Sequence, residues 1–339
     1  IITNPSEQEL DMLARALRNG ELVSIPTETV YGLGANGLDP EAMDKIYAAK
    51  GRPSDNPLIL HVPNSESIKP LVTEVSNTAQ LLMDTFWPGP LTITLPKSDL
   101  VPDRATGGLP RVALRCPDHK ICRALLERAG VPVAAPSANI SGRPSPTTAQ
   151  DVYHDMNGRI SYILDAGPCT IGVESTVVEV HDDKVIILRP GGITKAQLER
   201  VVSTVEYDTA LVNATTKPKA PGMKYTHYAP DAPMTVVVGN PEVIASTFKE
   251  LSEGIEGPIG CLVSHETYDL IKGDTRFMCH CFGHYGDALS LGHDFYKSLL
   301  HFNENHVTLI LAEGVNDDGF GVAIMNRMEK ASSHHIIYK

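Results

Sequence analysis

Three stretches of the chain gather side chains that can do chemistry. Lys50-Gly51-Arg52-Pro53-Ser54-Asp55-Asn56-Pro57-Leu58 holds two cations two residues apart, beside a carboxamide, in a proline-stiffened loop. Lysine offers a point charge and arginine a planar fork, and a stiff loop lowers the ordering cost of holding an anion, so the cluster suits a polyphosphate. Ala135-Pro136-Ser137-Ala138-Asn139-Ile140-Ser141-Gly142-Arg143-Pro144-Ser145-Pro146-Thr147 places small hydroxyl and amide groups directly after a buried-looking strand, where ligands gather in open α/β folds. Such groups cradle phosphate oxygens without Walker-type spacing, and the chain has no Walker motif. Pro26-Thr27-Glu28-Thr29-Val30-Tyr31-Gly32-Leu33-Gly34 runs from a strand end through hydroxyls and one carboxylate to two glycines that let backbone approach a ligand. Taken singly, each stretch also reads as an ordinary turn or solvated loop.

To position these stretches, strands and helices must end beside them. A capping box at Ser6 and Glu9 opens a helix carrying Leu10, Leu13, Ala14 and Leu17, and a strand follows over 22–25. Asp39 and Pro40 start a helix that ends near Lys50-Gly51, which puts the first cluster just past a helix. A helical stripe at Ala79, Leu82, Met83 and Phe86 stops at Trp87-Pro88, before a strand over 91–95. Strands at 111–115, 131–135 and 160–164 alternate with helices at 121–128 and 148–156, and 176–180 with 185–188 reads as a hairpin. The segment TTKPKAPGMKYTHYAPDAP has four prolines and few buried-looking positions, a linker signature over 205–232. Strand-like runs at 235–238, 259–263, 276–281 and 307–311, separated by helical stretches, then predict a small parallel βαβ domain. The expected domains are 1–204, a tether over 205–232, and 233–339.

Composition sets the outer bounds. With 339 residues, 42% hydrophobic and 21% charged, the chain reads as a globular protein of about two domains. No apolar run approaches the ~18 residues of a membrane span, and IITNPSEQEL has neither a basic nor an apolar leader region. Six scattered cysteines argue against a disulfide framework, and a cytoplasmic location is expected. The net charge is −12, and residues 233–339 hold 7 Lys+Arg against 14 Asp+Glu, which excludes a C-terminal nucleic-acid arm while leaving room for a local anion pocket. Cys279-His280-Cys281 with His284, Cys261 and His265 lacks paired zinc-knuckle spacing and reads as a strand with small buried cysteines, so no metal residues are assigned.

Together PTETVYGLG, KGRPSDNPL, RVALR and PSANISGRPS resemble the signatures of the YrdC domain over about residues 7–200. The tether KAPGMKYTHYAP and the terminal GFGVAIMNRMEKAS resemble the two-domain long form of the threonylcarbamoyl-AMP synthase family. The resemblance implies an N-terminal YrdC-like twisted mixed sheet with helices and a concave basic pocket, and a smaller C-terminal Rossmann-like α/β domain. It implies a nucleotidyltransferase that makes L-threonylcarbamoyl-adenylate from L-threonine, bicarbonate or CO2, and ATP, with release of pyrophosphate. The product would pass to a tRNA threonylcarbamoyl-transferase complex acting at position 37 of ANN-decoding tRNAs.

Carried onto matching positions, the resemblance gives Lys50 and Arg52 catalytic roles and groups them with Asn56, Arg111, Ser137, Asn139, Ser145, Arg189 and Tyr228 as the ATP contacts. Tyr228 would belong to a tether that closes over the nucleotide as a lid. Thr29, His61, Arg115, Ser175 and backbone at Ala135 would hold threonine, with Arg115 as the carboxylate fork. Arg111 departs from the small hydroxyl residue expected in relatives. Mg2+ would arrive on the ATP phosphates. Two other readings compete: an RNA-binding or ribosome-maturation module, against which the acidic balance and the lack of an aromatic RNP stripe speak, and carbamoyl-adenylate chemistry as in hydrogenase maturation, whose companion modules are missing here.

Overall fold

The computed structural model describes residues 1–212, 219–221, 223 and 227–339. By contacts the chain divides into two units, one of Ile1–Ser141, Ser145–Thr170 and Glu174–Tyr225, the other of Gly142–Pro144, Ile171–Val173 and Thr226–Lys339.

The first unit is built on an eleven-stranded mixed sheet. In chain order its strands are β1 (Ile2–Thr3), β2 (Val23–Ile25), β3 (Gly32–Asn36), β4 (Ile59–His61), β5 (Leu91–Pro96), β6 (Arg111–Arg115), β7 (Val133–Ala134), β8 (Tyr162–Asp165), β9 (Thr176–Val180), β10 (Val185–Arg189) and β11 (Val205–Tyr207). They lie side by side as β1-β8-β2-β3-β7-β4-β6-β5-β9-β10-β11. Helices follow the expected start and stop signals. Ser6 and Glu9 form the reciprocal capping box of Glu7–Arg18, whose Leu10, Leu13, Ala14 and Leu17 are buried. Asp39 caps Pro40–Lys50 at its start, and Gly51, at φ 62°, ends it in the left-handed conformation that glycine adopts without strain. Lys50 is therefore the last helical residue, with the cation loop directly behind it.

The fold is the mixed α/β arrangement expected, with differences in detail that have physical causes. The glycine-rich stretch read as a loop contains the buried strand β3. A Cβ on Gly34 would meet the Val23 carbonyl oxygen at 2.9 Å and Val133 Cγ1 at 3.0 Å, so close packing of neighbouring strands selects glycine there. The three-residue β4, directly after Pro57-Leu58, is too short to announce itself by alternation. The stretch read as a tether from 205 begins with β11, which pairs in parallel with β10, and the short helix Thr209–Val212. The rest of the tether falls partly on residues 213–218, 222 and 224–226, outside the described residues.

The second unit carries a five-stranded, all-parallel sheet of β12 (Met234–Val238), β13 (Ile259–Val263), β14 (Phe277–Cys281), β15 (Leu309–Glu313) and β16 (Ile336–Tyr338), in the order β14-β13-β15-β12-β16. Its core gathers Val237, Ile244, Phe248, Ile259, Val263 and Leu311. Cys261 is buried on β13 beside its register partner Cys279 on β14, but Cys279 and Cys281, expected as buried cysteines, are only partly buried because β14 lies at the edge of the sheet. Among the described residues no helix is long and apolar enough to cross a membrane.

Candidate active site

The geometry of the first unit's sheet explains how distant motifs meet. His61 and Arg115 end the parallel neighbours β4 and β6 and are register partners, so their side chains leave the same face at the carboxyl ends of the strands. Thr29 lies three residues before β3, Ala135 directly after β7, Ser175 directly before β9, and Arg189 ends β10.

Arg115 is the centre of this end. Its Nη1 donates to Thr29 Oγ1 at 2.9 Å and its Nε to the Gly89 carbonyl at 3.4 Å. Its Nη2 stands 2.7 Å from Oε2 of Glu28, and the two side chains are only 5% and 7% exposed. The approach is off hydrogen-bond geometry, and Arg115 Nη2 and both Glu28 oxygens are left without a hydrogen-bond partner. Thr29 also shares a hydroxyl contact of 3.0 Å with Thr27. His61 is buried, with Nδ1 at 3.0 Å from the Ile59 carbonyl and 3.3 Å from that of Val133, so Nδ1 carries the proton. Burial, helped by the Arg115 charge, pushes the His61 pKa down to about 3, and the ring is neutral at physiological pH. Ser175 Oγ lies 2.8 Å from Thr92 Oγ1 and accepts from Arg189 Nη2 at 3.2 Å, while Arg189 also binds the Ser175 carbonyl through Nε and Nη2. The Ala135 amide is taken by the Ile59 carbonyl at 3.1 Å.

The phosphate-type residues converge separately. Lys50 Nζ is buried and donates to the carbonyls of Ser137 and Asn139, the latter at 2.7 Å, while its own carbonyl accepts from Ser141 N–H at 2.8 Å. Helix end and PSANIS loop are thereby locked together. Burial, with Arg52 nearby, holds the Lys50 ammonium well below the usual lysine range. Arg52 Nη2 donates to the Pro57 carbonyl at 3.2 Å, closing the cation loop on itself. Asn56 is buried, and its amide nitrogen has no hydrogen-bond acceptor, an expensive state that a ligand oxygen would relieve. Ser145 Oγ donates to Glu174 Oε1 at 2.6 Å.

Arg111 lies at the opposite end of β6, about 13 Å along the strand from Arg115. Residues 111, 113 and 115 share a face, and next to Arg111 that face opens into a cavity of ≈ 190 Å³. Its walls include Pro57, Ala113, Val177 and Leu188, with Glu179 and Lys219 as charged neighbours. Arg111 Nη2 donates to the carbonyls of Thr94 at 2.7 Å and Val180 at 2.5 Å, tying three strands together. Tyr228 stands in the second unit, buried, with its ring centroid 5.4 Å from that of Tyr296 and 5.9 Å from the Arg327 guanidinium.

Three acidic residues of this region were not assigned by sequence reasoning: Glu28, Glu174 and Glu179. Glu28 and Glu174 each directly precede an assigned residue, Thr29 and Ser175, and that adjacency is the available signal. Glu179 gave none, since an acid on a hairpin strand reads as solvent-facing, yet it is buried with His181 Nε2 at 2.8 Å. Among the described residues no group of three or more His, Cys, Asp or Glu side chains could by itself hold a metal ion.

Comparison with known proteins completes the picture. The Sua5/YciO/YrdC family model, described as telomere recombination, matches residues 15–191, and the model for the C-terminal domain of threonylcarbamoyl-AMP synthase matches 193–333. The threonylcarbamoyl-AMP synthase of Bacillus subtilis is 45% identical over 333 residues, covering 98% of this chain and 95% of that protein. That of Pyrococcus abyssi is 43% identical over 335 residues, covering 98% and 96%. The crystal structure of P. abyssi Sua5 complexed with L-threonine superposes with a TM-score of 0.90 at 41% identity, covering 100% of this chain and 98% of that one. With both domain models matched and relatives aligned over nearly their full lengths, the chain belongs to the threonylcarbamoyl-AMP synthase family and is an enzyme of that ATP-using kind.

Proposed function

We propose that the chain condenses L-threonine, CO2 or bicarbonate, and ATP into L-threonylcarbamoyl-adenylate and pyrophosphate. One observation supports the site assignment: a buried arginine, suited to an amino-acid carboxylate, lies on the same sheet face as a largely apolar cavity of ≈ 190 Å³ that we assign to the nucleobase. Arg115, Thr29, His61, Ser175 and Ala135 are our threonine set; Lys50, Arg52, Asn56, Ser137, Asn139, Ser145 and Arg189 are our nucleotide set, and Arg111, expected from the resemblance as a further ATP contact, is read as a tie between strands beside the cavity. Tyr228 and the tether remain in the proposal on sequence grounds alone.

In this reading threonine's ammonium first gives a proton to solvent, the neutral amine then adds to the carbon of CO2 as one C=O bond opens onto oxygen, and a second N–H proton passes to solvent, giving a carbamate. A carbamate oxygen then bonds to the α-phosphorus, and the bond from phosphorus to the bridging oxygen breaks, so that pyrophosphate leaves with the electron pair. No side-chain nucleophile is needed. The residues hold two anions against each other and neutralise the charge that gathers on the phosphate oxygens, a task that fits Lys50 and Arg52. The orphaned Asn56 amide has a use there as a donor to a phosphate oxygen. Mg2+ bound to the phosphates would supply further charge neutralisation, and we assign no side chain of this chain to it. A neutral His61 offers Nε2 as an acceptor for the threonine hydroxyl. Transfer of the product to tRNA by a separate complex and a cytoplasmic location, where ATP and tRNA are found, complete the proposal.

The test is direct. Protein, Mg-ATP, bicarbonate and L-threonine are mixed and pyrophosphate is measured with each component left out in turn. Release that persists without threonine or without bicarbonate overturns the reading.

A further inference from the structure

We infer that Glu28 receives the ammonium group of the amino-acid substrate, so that Glu28 and Arg115 together form a receptor for a zwitterion. The inference rests on the proposal that Arg115 takes the substrate carboxylate. Three features of the buried pair support it. The two side chains are 7% and 5% exposed, and their charged atoms approach to 2.7 Å. The approach leaves Arg115 Nη2 without an acceptor and both Glu28 oxygens without a donor. A carboxylate that has lost its water and gained no hydrogen bond is costly to keep, and donors arriving with a ligand remove that cost. The unmet needs are one donor direction on a cation and two acceptor oxygens on an anion, side by side.

An α-amino acid supplies the complement. Its ammonium nitrogen and carboxylate carbon are about 2.5 Å apart across one α-carbon, close to the spacing of the protein pair. The carboxylate can meet the Arg115 fork while the ammonium, with three N–H donors, meets the Glu28 oxygens. Four alternating charges then replace two, and no buried charge is left uncompensated. Thr29 Oγ1, already bonded to Arg115 Nη1, fixes the guanidinium in its plane. Glu28 thus selects α-amino acids over acids that lack the amine, a discrimination that Arg115 alone cannot make.

The experiment separates this role from support of Arg115. Binding of L-threonine and of (R)-3-hydroxybutyrate, the same molecule without its amine, is measured by calorimetry on the intact chain and on Glu28→Gln, Glu28→Asp and Arg115→Ala. Glu28→Gln is expected to weaken threonine binding about tenfold or more, the loss typical of a charge-assisted hydrogen bond, and to leave hydroxybutyrate binding within about twofold. Equal weakening of both ligands would mean that Glu28 acts only through Arg115, and unchanged threonine binding would mean that it does not act at all; either overturns the inference. Should Glu28→Gln unfold, Glu28→Asp, which keeps the charge but withdraws it by one methylene, must show the same selective loss in smaller measure, and a non-selective or absent loss there counts equally against it. Arg115→Ala tests the underlying assignment on its own, because it should weaken both ligands. If it weakens neither while Glu28→Gln remains selective, the carboxylate assignment falls and the ammonium assignment stands.

Discussion

Arg115 and Arg111 stand on the same face of β6, four residues apart, and their surroundings differ in kind. Arg115 is buried beside a carboxylate, two threonine hydroxyls and a neutral histidine, with one nitrogen unsatisfied. Arg111 is half-buried, spends Nη2 on two carbonyls of neighbouring strands, and borders a largely apolar cavity. At Arg115 an unsatisfied buried donor stands open to a ligand, whereas at Arg111 Nη2 is already matched to carbonyls of two neighbouring strands and ties them together. In the proposed reading, the same residue type on one strand divides the face into an amino-acid end that would recognise charge and a nucleotide end that would recognise shape. Lys50 and Arg52 lie with the phosphate-type loops that would serve the join between them.

The largest effect should come from that join. Lys50→Ala is expected to lower pyrophosphate release by about 100-fold or more, the usual consequence of removing a group that stabilises transition-state charge. Both substrates should suffer, since the loss is at neither end. Retained turnover in a variant that unfolds at the normal temperature would remove Lys50 from the mechanism. Next in size, Arg115→Ala should raise the threonine KM by roughly 10- to 100-fold and leave the ATP KM unchanged. Equal effects on both substrates would break the division of the face.

That the sequence alone offers much of this candidate site follows from its construction. Lys50, Arg52, Asn56, Ser137, Asn139 and Ser145 lie in two continuous stretches whose chemistry is local, and a proline-stiffened loop after a helix keeps its meaning in the fold. The Arg115–Glu28 pair joins residues 87 apart, and its burial is set by the stacking of β3, β7, β4 and β6, which no local pattern reports. Glycine-rich β3 was hidden for a related reason: tight packing against Val23 and Val133 overrides the poor strand preference of glycine. The opening of the stretch read as a linker became β11 because pairing with β10 decides a three-residue strand, and composition does not.

The two ends should also differ in their response to pH. Lys50 is held well below its usual pKa in the unliganded protein, and phosphates placed beside it favour its protonated form. ATP binding should then take up protons, and ATP affinity should fall as pH rises through the depressed Lys50 pKa. Calorimetry in buffers of different ionisation heats reads the uptake directly. His61, at about 3, stays neutral, so threonine binding should show no histidine step between about pH 5 and 8. Because the folded value lies below the unfolded one, His61 costs stability only as pH falls below about 6.5 towards 3. Proton uptake with threonine but none with ATP would reverse the assignment of the two ends.

The smallest effect on catalysis is expected at Arg111, and it sharpens the comparison most. Arg111→Ser removes a guanidinium that crosses from β6 over Thr94 of β5 to Val180 of β9, and a serine hydroxyl cannot reach either carbonyl. Stability should drop by roughly 1 to 3 kcal/mol for the lost hydrogen bonds at a half-exposed strut, visible as a lower unfolding temperature. With Nε and Nη2 engaged by Thr94 and the Val180 carbonyl, the guanidinium is committed to the sheet, and the ATP KM should stay within about threefold. A rise of tenfold or more with an unchanged threonine KM would make Arg111 a nucleotide contact instead of a strut, with the cavity beside it as the place of that contact. A change in the threonine KM alone would show that the two ends of β6 are coupled through the strand, and the face would then have to be treated as one site rather than two.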